Sequence, residues 1–270
     1  MLKSSPLAAT MRRILPAWVK KSIRDAYIGP HAVQSYAQEG EDIVLGALFG
    51  DSLHYRTGFY VDVGAHDPWR FSNTCYFYQR GWHGINIDPR PGVKAIFDSE
   101  RPRDINLEVA VAREPGTLTY YYFDEPLLNG FDRNLCESRD REGKHRILGQ
   151  RQIPALPLAA LLQEHVGESQ QIDFLSVDAE GMDLDVLKSN DWKKFHPTFV
   201  LAEEISLEAL SGDRRSEIAS FLRPWGYIPV ARTRLTTIFA NETRLCEGPL
   251  GIRLREVAEW EARRSVSKKA

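Results

Sequence analysis

Residues 59–68 read Phe-Tyr-Val-Asp-Val-Gly-Ala-His-Asp-Pro. A short aromatic and β-branched run ends in Asp62, then Gly64, then the polar corner His66-Asp67. The run predicts a buried strand over 58–63. A glycine just past a strand end predicts a turn where the backbone comes close to a ligand. A dinucleotide fingerprint needs three glycines in such a turn, for the tight bend, the approach of the pyrophosphate and the helix packing. Here only Gly64 is present. The stretch therefore fits a ligand that needs one close backbone approach and a carboxylate, not a phosphate cradle.

Outward from this turn, strand and helix alternate. Apolar spacing predicts a helix over 39–49 before the strand. A helix is predicted over 72–80, capped by Ser72 or Asn73 and ended by Gly81. Residues 84–88 predict a second strand, 92–99 a short helix, and 105–112 a third strand. Residues 118–123 are strand-like, with a hairpin as one arrangement. The polar, turn-rich stretch 124–152 reads as a variable loop or lid. A helix over 157–166, a fourth strand over 172–178, a helix over 182–189 and a fifth strand over 198–204 follow. A helix over 214–223 and two strands, 226–231 and 236–240, complete the pattern, with a surface helix in the last twenty residues. Alternation of this kind predicts an α/β fold: a mostly parallel sheet with helices on both faces. The two closely spaced final strands predict an antiparallel hairpin at the sheet edge.

Ligands of open α/β sheets bind beyond the carboxyl ends of the strands. Those ends carry Asp62, Asp88, Asp178 with Glu180, and Glu203 with Glu204, so the rim is acidic. Like-charge repulsion disfavours a bare diphosphate there. Asp88 lies 26 residues beyond Asp62, close to the offset at which a carboxylate grips a ribose diol. S-adenosylmethionine carries a sulfonium, an ammonium and a ribose, and no phosphate, so it matches this rim. Each carboxylate also has a structural reading, as a turn or helix cap. Glu203 and Glu204 are adjacent, so in a strand they face opposite ways and at most one faces the site.

The 270 residues, 43% hydrophobic, suit one globular domain with small additions. The net charge of −2 argues against a dedicated nucleic-acid binder. Before residue 31 there are six basic residues and one acid, a net +5, which leaves −7 for the rest. The organisation expected is a basic leader over 1–34, a catalytic domain over 35–245 and an extension over 246–270. The leader reads as a solvated segment or as a surface helix with Leu15, Trp18, Val19 and Ile23 on one side. In the second reading it offers contact to a membrane surface or a glycosyltransferase. No run of about 18 apolar residues occurs, so no spanning helix is expected. Cys75, Cys136 and Cys246 are widely spaced and read as reduced thiols of a cytoplasmic protein.

Five blocks carry a family likeness: YAQEGEDIVL (36–45), GFYVDVGAHDP (58–68), SNTCYFYQRGWHGINIDPRP (72–91), INLEVAVA (105–112) and IDFLSVDAEGMDLDVLKSND (172–191). With them the chain resembles the FkbM family of S-adenosylmethionine-dependent methyltransferases. The resemblance implies a class I, Rossmann-like methyltransferase fold: a seven-stranded sheet whose last strand is antiparallel. It implies the cofactor's methionine end near Asp62 and Gly64, its ribose on Asp88 and its adenine near Ala110. Ala65, His66, Asn73 and Asp178 complete the implied cofactor set, with Gln38 or Glu39 from the segment that covers the cofactor. It further implies O-methylation of a sugar, glycan or natural-product hydroxyl, as in polysaccharide biosynthesis. One position departs from the common pattern: Asp67, followed by Pro68, stands where methyltransferases commonly have glycine.

A hydroxyl acceptor calls for a general base. The candidates are Asp178 and Glu180, then His66, then Glu204. A Mg²⁺ shared by Asp178 with Glu203 or Glu204 is a second arrangement, lowering the acceptor's pKa. Two rival classes stay open: a nicotinamide-dependent oxidoreductase, and a non-catalytic partner of a glycan-assembly enzyme. Self-association into a homo-oligomer is also open.

Overall fold

The structure, a computed structural model, describes residues 32–50, 53, 56–204 and 216–247. The chain divides into Met1–Ser35 and Tyr36–Ala270, and every element below belongs to the second unit. The basic leader up to residue 31 and the helix predicted in the last twenty residues lie outside the described residues. Among the described residues no helix is long and apolar enough to cross a membrane.

Ten strands form two sheets. They are β1 (Phe59–Val63), β2 (His83–Ile87), β3 (Ile105–Leu107), β4 (Ala110–Val111), β5 (Gly116–Phe123), β6 (Ile147–Leu156), β7 (Phe174–Val177), β8 (Phe199–Glu203), β9 (Tyr227–Arg232) and β10 (Thr236–Asn241). The large sheet has the order β3-β2-β1-β7-β8-β10-β9. β3, β2, β1, β7 and β8 pair in parallel, and β10 runs antiparallel to both β8 and β9. The expected seven-stranded, mostly parallel sheet with an antiparallel last strand is therefore present. β10 inserts between β8 and β9, which leaves β9 at the edge.

β1 and β7 sit centrally and are buried along their whole length. This explains their largely apolar sequences, since a strand covered on both faces needs no polar alternation; the buried exceptions, Asp62 and Ser176, pair with each other across the two strands. Phe59, Val61, Val63, Leu175 and Val177 pack against α5 (Leu158–His165), α6 (Asp183–Lys188) and α7 (Glu217–Leu222) on one face. Tyr60, Phe174 and Phe199 pack on the other against α1 (Glu41–Phe49), α2 (Cys75–Tyr78) and Trp82. The rings of Phe49, Phe77, Trp82 and Phe174 meet at tilted or edge-on angles with centroids 4.8–6.3 Å apart, a favourable geometry for aromatic quadrupoles. Cys75 and Cys136 are buried free thiols. The side chain of Cys246 lies outside the described residues.

Two predicted elements differ. The strand predicted over 105–112 splits into β3 and β4, and β4 joins a second sheet of order β4-β6-β5. β2 pairs with β3 only as far as Ile87 and Leu107. Asp88 N–H still donates to Leu107 O at 3.1 Å, but the next N–H on that side, Arg90's, turns back to Asp88 Oδ1 at 2.8 Å, so the ladder stops and the chain pairs Ala110 with Ala155. The helix predicted over 72–80 is shorter, Cys75–Tyr78. Ser72 Oγ accepts from the N–H groups of Thr74 and Cys75 and so starts it like a cap. The stretch 124–152 holds a 3₁₀ turn (Pro126–Leu128), α4 (Arg133–Arg141) and the first half of β6. It follows β5, with which β6 pairs antiparallel.

Gly64 has φ +82°, and a Cβ there would lie 1.8 Å from the carbonyl oxygen of Asp178. Gly64→Ala is expected to destabilise the protein by roughly 3 kcal/mol or more, combining left-handed strain with a backbone clash. Urea unfolding measures this, and a loss below about 1 kcal/mol would show that the strand ends can separate without cost.

Candidate active site

The carboxyl ends of β1, β2 and β7 are tied by backbone hydrogen bonds. Gly64 and Ala65 N–H donate to Ile87 O at 2.9 and 3.2 Å, and Asp178 N–H donates to Val63 O at 2.9 Å. Beyond these ends opens a cavity of about 270 Å³, close to the lower bound of about 300 Å³ for small-molecule sites. Its base is made by Val63, Gly64, Ile87 and Asp88, and its acidic wall by Asp178, Glu180 and Glu203. The 116–156 excursion forms the facing wall with Tyr120, Leu127, Asn129, Phe131 and Arg139. A water-sized recess of about 10 Å³ shares Gln38, Phe71, Asp178 and Glu203 with the cavity and adds Glu41 and Asn73.

The residues singled out by sequence divide into three groups. Gln38, Gly64, His66, Asp88, Ala110, Asp178 and Glu180 line the cavity, and Asn73 lines the recess. Asp62 and Ala65 lie beneath it. Asp62 is buried and accepts from Thr74 Oγ1 at 2.9 Å, and Ala65 packs on Val93 and Phe97. Glu39 and Glu204 are directed elsewhere. Glu39 accepts from Arg234 Nε at 2.7 Å and Leu235 N–H at 3.0 Å, which staples its loop to the β9–β10 turn. Glu204 is buried, accepts from Thr237 Oγ1 at 2.5 Å and pairs with Arg232 at 3.3 Å. Strand alternation thus puts Glu203, and not Glu204, on the cavity wall. Glu204 as a base is corrected to a structural ion pair, and Glu39 to a loop staple. Asp67 accepts from the N–H groups of Trp69 and Arg70 at 2.8 and 2.9 Å, so it shapes the turn.

Asp88 accepts from His66 N–H and Arg90 N–H, both at 2.8 Å. A carboxylate has about four acceptor positions, so two remain for a ligand. His66 has φ +53° and its carbonyl accepts from Arg90 Nη2. Burial, helped by the Arg90 cation, lowers its pKa, so His66 is neutral near pH 7. His66, Phe71 and Glu180 are the non-glycine residues with positive φ among the described residues, and all three line the cavity. Such backbone costs about 1–3 kcal/mol per residue and concentrates at working sites.

The acidic wall is held close to neutrality. Asp178, like Glu180, is solvent-exposed where it opens onto the cavity, while the protein around it limits its contact with bulk water. That desolvation, then the nearby Asp183, Asp62, Glu41 and Asp88 carboxylates, raise its pKa to about 7. Burial and Asp178 raise Glu180 to about 7, opposed by Arg139, whose Nη2 lies 3.9 Å from Glu180 Oε2. Burial, Asp178, Asp183 and Glu180 raise Glu203 to about 8. Carboxyl groups this close do not all ionise together. Asp178 and Glu203 share this wall, yet among the described residues no group of three or more His, Cys, Asp or Glu side chains is placed to hold a metal ion.

Sequence reading missed Phe71, Arg139 and the apolar wall of Leu127 and Phe131. Arg139 and Phe131 come from the excursion, whose polarity carried no ligand signal. Tyr120 is both core of the small sheet and wall of the cavity.

Each raised carboxyl binds its proton more tightly in the folded chain than in the unfolded one. The stability it contributes is complete below the unfolded pKa near 4 and is lost as pH rises through about 7 to 8. Asp178→Asn removes one such loss, so its gain in Tm is expected to be larger at about pH 8 than at about pH 5. Scanning calorimetry at both pH values tests this. An equal or smaller gain at the higher pH would mean that Asp178 ionises freely.

The segment that builds most of this site has relatives. Residues 62–229 match the family "Methyltransferase FkbM domain". No curated protein matches the chain. Among solved structures it is similar to the precorrin-6y C5,15-methyltransferase of Geobacter metallireducens GS-15, at 10% identity and a TM-score of 0.38, over 77% of this chain and 92% of that one. The family match spans more than half of the sequence, and the protein therefore belongs to the FkbM methyltransferase family.

Proposed function

We propose that this methyltransferase uses S-adenosylmethionine and methylates a hydroxyl of a sugar, glycan or natural-product acceptor, with Asp178 as the general base. The observation that carries this reading is the acidic wall, where Asp178, Glu180 and Glu203 face one cavity with pKa values of about 7, 7 and 8. A base works best when its pKa lies near the operating pH.

The cofactor's parts find counterparts among the residues present. Asp88 faces the cavity with acceptor capacity left for a ribose diol. Ile87, Val109, Ala110 and Tyr120 give an apolar lining suited to a purine. Arg139 is the one Lys or Arg lining the cavity among the described residues, so no diphosphate cradle competes. S-adenosylmethionine, when bound, supplies an electrophilic methyl group on a sulfonium.

The chain's own task is to position and to move one proton. Gly64 lets the ends of β1 and β7 close together, since a Cβ there would meet the Asp178 carbonyl, and this closure holds Asp178 beside the β1 turn. Asp178 accepts the acceptor's hydroxyl proton as the oxygen attacks, and its neighbours keep it basic enough to hold that proton. The wall of the 116–156 excursion restricts water around the reacting groups. His66, neutral and at the cavity edge, is an orienting hydrogen-bond partner.

Asp178→Asn is expected to lower kcat by about 10²- to 10⁴-fold. Its Kd for S-adenosylhomocysteine should stay within about threefold of wild type. The assay follows S-adenosylhomocysteine release against a panel of sugar and natural-product hydroxyls. Wild-type turnover in the variant would remove Asp178 from the chemistry. Product from amine acceptors alone would overturn the assignment of a hydroxyl.

A further inference from the structure

Arg101 is 1% exposed and follows directly on α3 (Val93–Glu100). A guanidinium taken out of water is costly unless its donors are used, and here they are. Nε donates to Pro68 O at 3.0 Å, and Nη2 also reaches Pro68 O. Nη2 donates to Ser72 Oγ at 2.8 Å and Nη1 to Thr74 Oγ1 at 2.7 Å. The nearest carboxylate, Asp104, is looser, at 4.0 Å. The fork is therefore oriented by the loop between β1 and α2, and not by its counter-ion.

That loop supplies His66 and Phe71 to the cavity and Asn73 to the recess, the first two with left-handed backbone. The atoms that Arg101 holds, at Pro68, Ser72 and Thr74, bracket Phe71 and Asn73. The contacts extend further. Thr74 Oγ1 donates on to Asp62 at 2.9 Å under the β1 turn. Ser72 N–H donates to Tyr36 O at 2.9 Å, which ties in the segment carrying Gln38. A buried ion can often be replaced by apolar side chains at no loss of stability, so stability alone gives no reason for an arginine here. Shape does: five donors in a rigid plane fix three acceptors at once, which an ammonium cannot do.

We infer that Arg101 is a positioning residue, whose guanidinium holds residues 66–74 in the strained shape that lets His66, Phe71 and Asn73 receive the cofactor. This rests on the S-adenosylmethionine reading above. Arg101 touches no reacting atom, so its loss should appear in binding more than in turnover.

The test compares wild type with Arg101→Lys and Arg101→Met by calorimetric titration with S-adenosylhomocysteine, with Tm and hydrogen exchange measured alongside. Arg101→Lys keeps the charge and most of the volume. It is expected to stay folded, to raise Kd about 10-fold or more, and to leave kcat at saturating cofactor within about threefold. Exchange should quicken within 66–74 and not in β1 or β7. Folded variants with Kd within about twofold of wild type would overturn the inference, as would faster exchange throughout the domain. If neither variant folds, Ser72→Ala and Thr74→Val carry the test, each expected to raise Kd about threefold, and wild-type binding in both would overturn it. Absence of binding by wild type itself would instead refute the cofactor reading.

Discussion

The site depends on one contact: the backbone of Gly64 against the carbonyl of Asp178. A Cβ at residue 64 would sit 1.8 Å from that oxygen, so the ends of β1 and β7 approach more closely than any side chain permits. Everything functional is measured from this point. The Gly64 and Ala65 N–H groups close onto Ile87 O, which places Asp88 beside the turn. The next residue, His66, is fixed by its N–H on Asp88. From the other strand, the same closure leads directly into Asp178-Ala179-Glu180, with Glu180 and Gly181 both at positive φ. A largely apolar sheet, crossed by the buried polar row Asn106, Asn86, Asp62 and Ser176, thus ends in a polar cavity.

Electrostatics gives the cavity its character. Three carboxyl groups with pKa values raised to about 7 or 8 share one wall. A domain selected for stability alone would not keep them, since each weakens folding as the pH rises toward neutrality. In the proposed mechanism the same environment makes Asp178 a proton acceptor of suitable strength. Positive charge is kept mostly behind the wall. Arg101 lies beneath the loop, Arg90 grips the His66 carbonyl, and Arg139 alone among the lining residues faces inward. Such a rim suits the proposed methyl transfer from a sulfonium better than hydride transfer from a diphosphate-bearing dinucleotide.

Much of this was legible in sequence, for physical reasons. Buried parallel strands are continuous apolar runs, and the strand-ending carboxylates Asp62, Asp88 and Asp178 stand out against them. Gly64 was legible because only a close approach or a left-handed turn demands a glycine there. Alternation limits the cavity to one of Glu203 and Glu204, but it does not choose between them, and the sequence reading named Glu204 as a candidate base where the structure puts Glu203 on the wall. The split of the third strand hid in the neighbouring strand, where Asp88 captures the Arg90 N–H that would have extended the ladder. Arg139, Phe131 and the small sheet were not legible, because their place over the cavity is fixed by pairing between β5 and β6. Arg101 gave no signal, because a lone arginine after a helix ordinarily reads as surface.

The most direct measurement is a calorimetric titration of the wild-type protein with S-adenosylhomocysteine and, separately, with NAD. The account predicts stoichiometric binding of S-adenosylhomocysteine with a micromolar Kd, about −8 kcal/mol, and no heat from NAD. Binding of NAD with none of S-adenosylhomocysteine would contradict it.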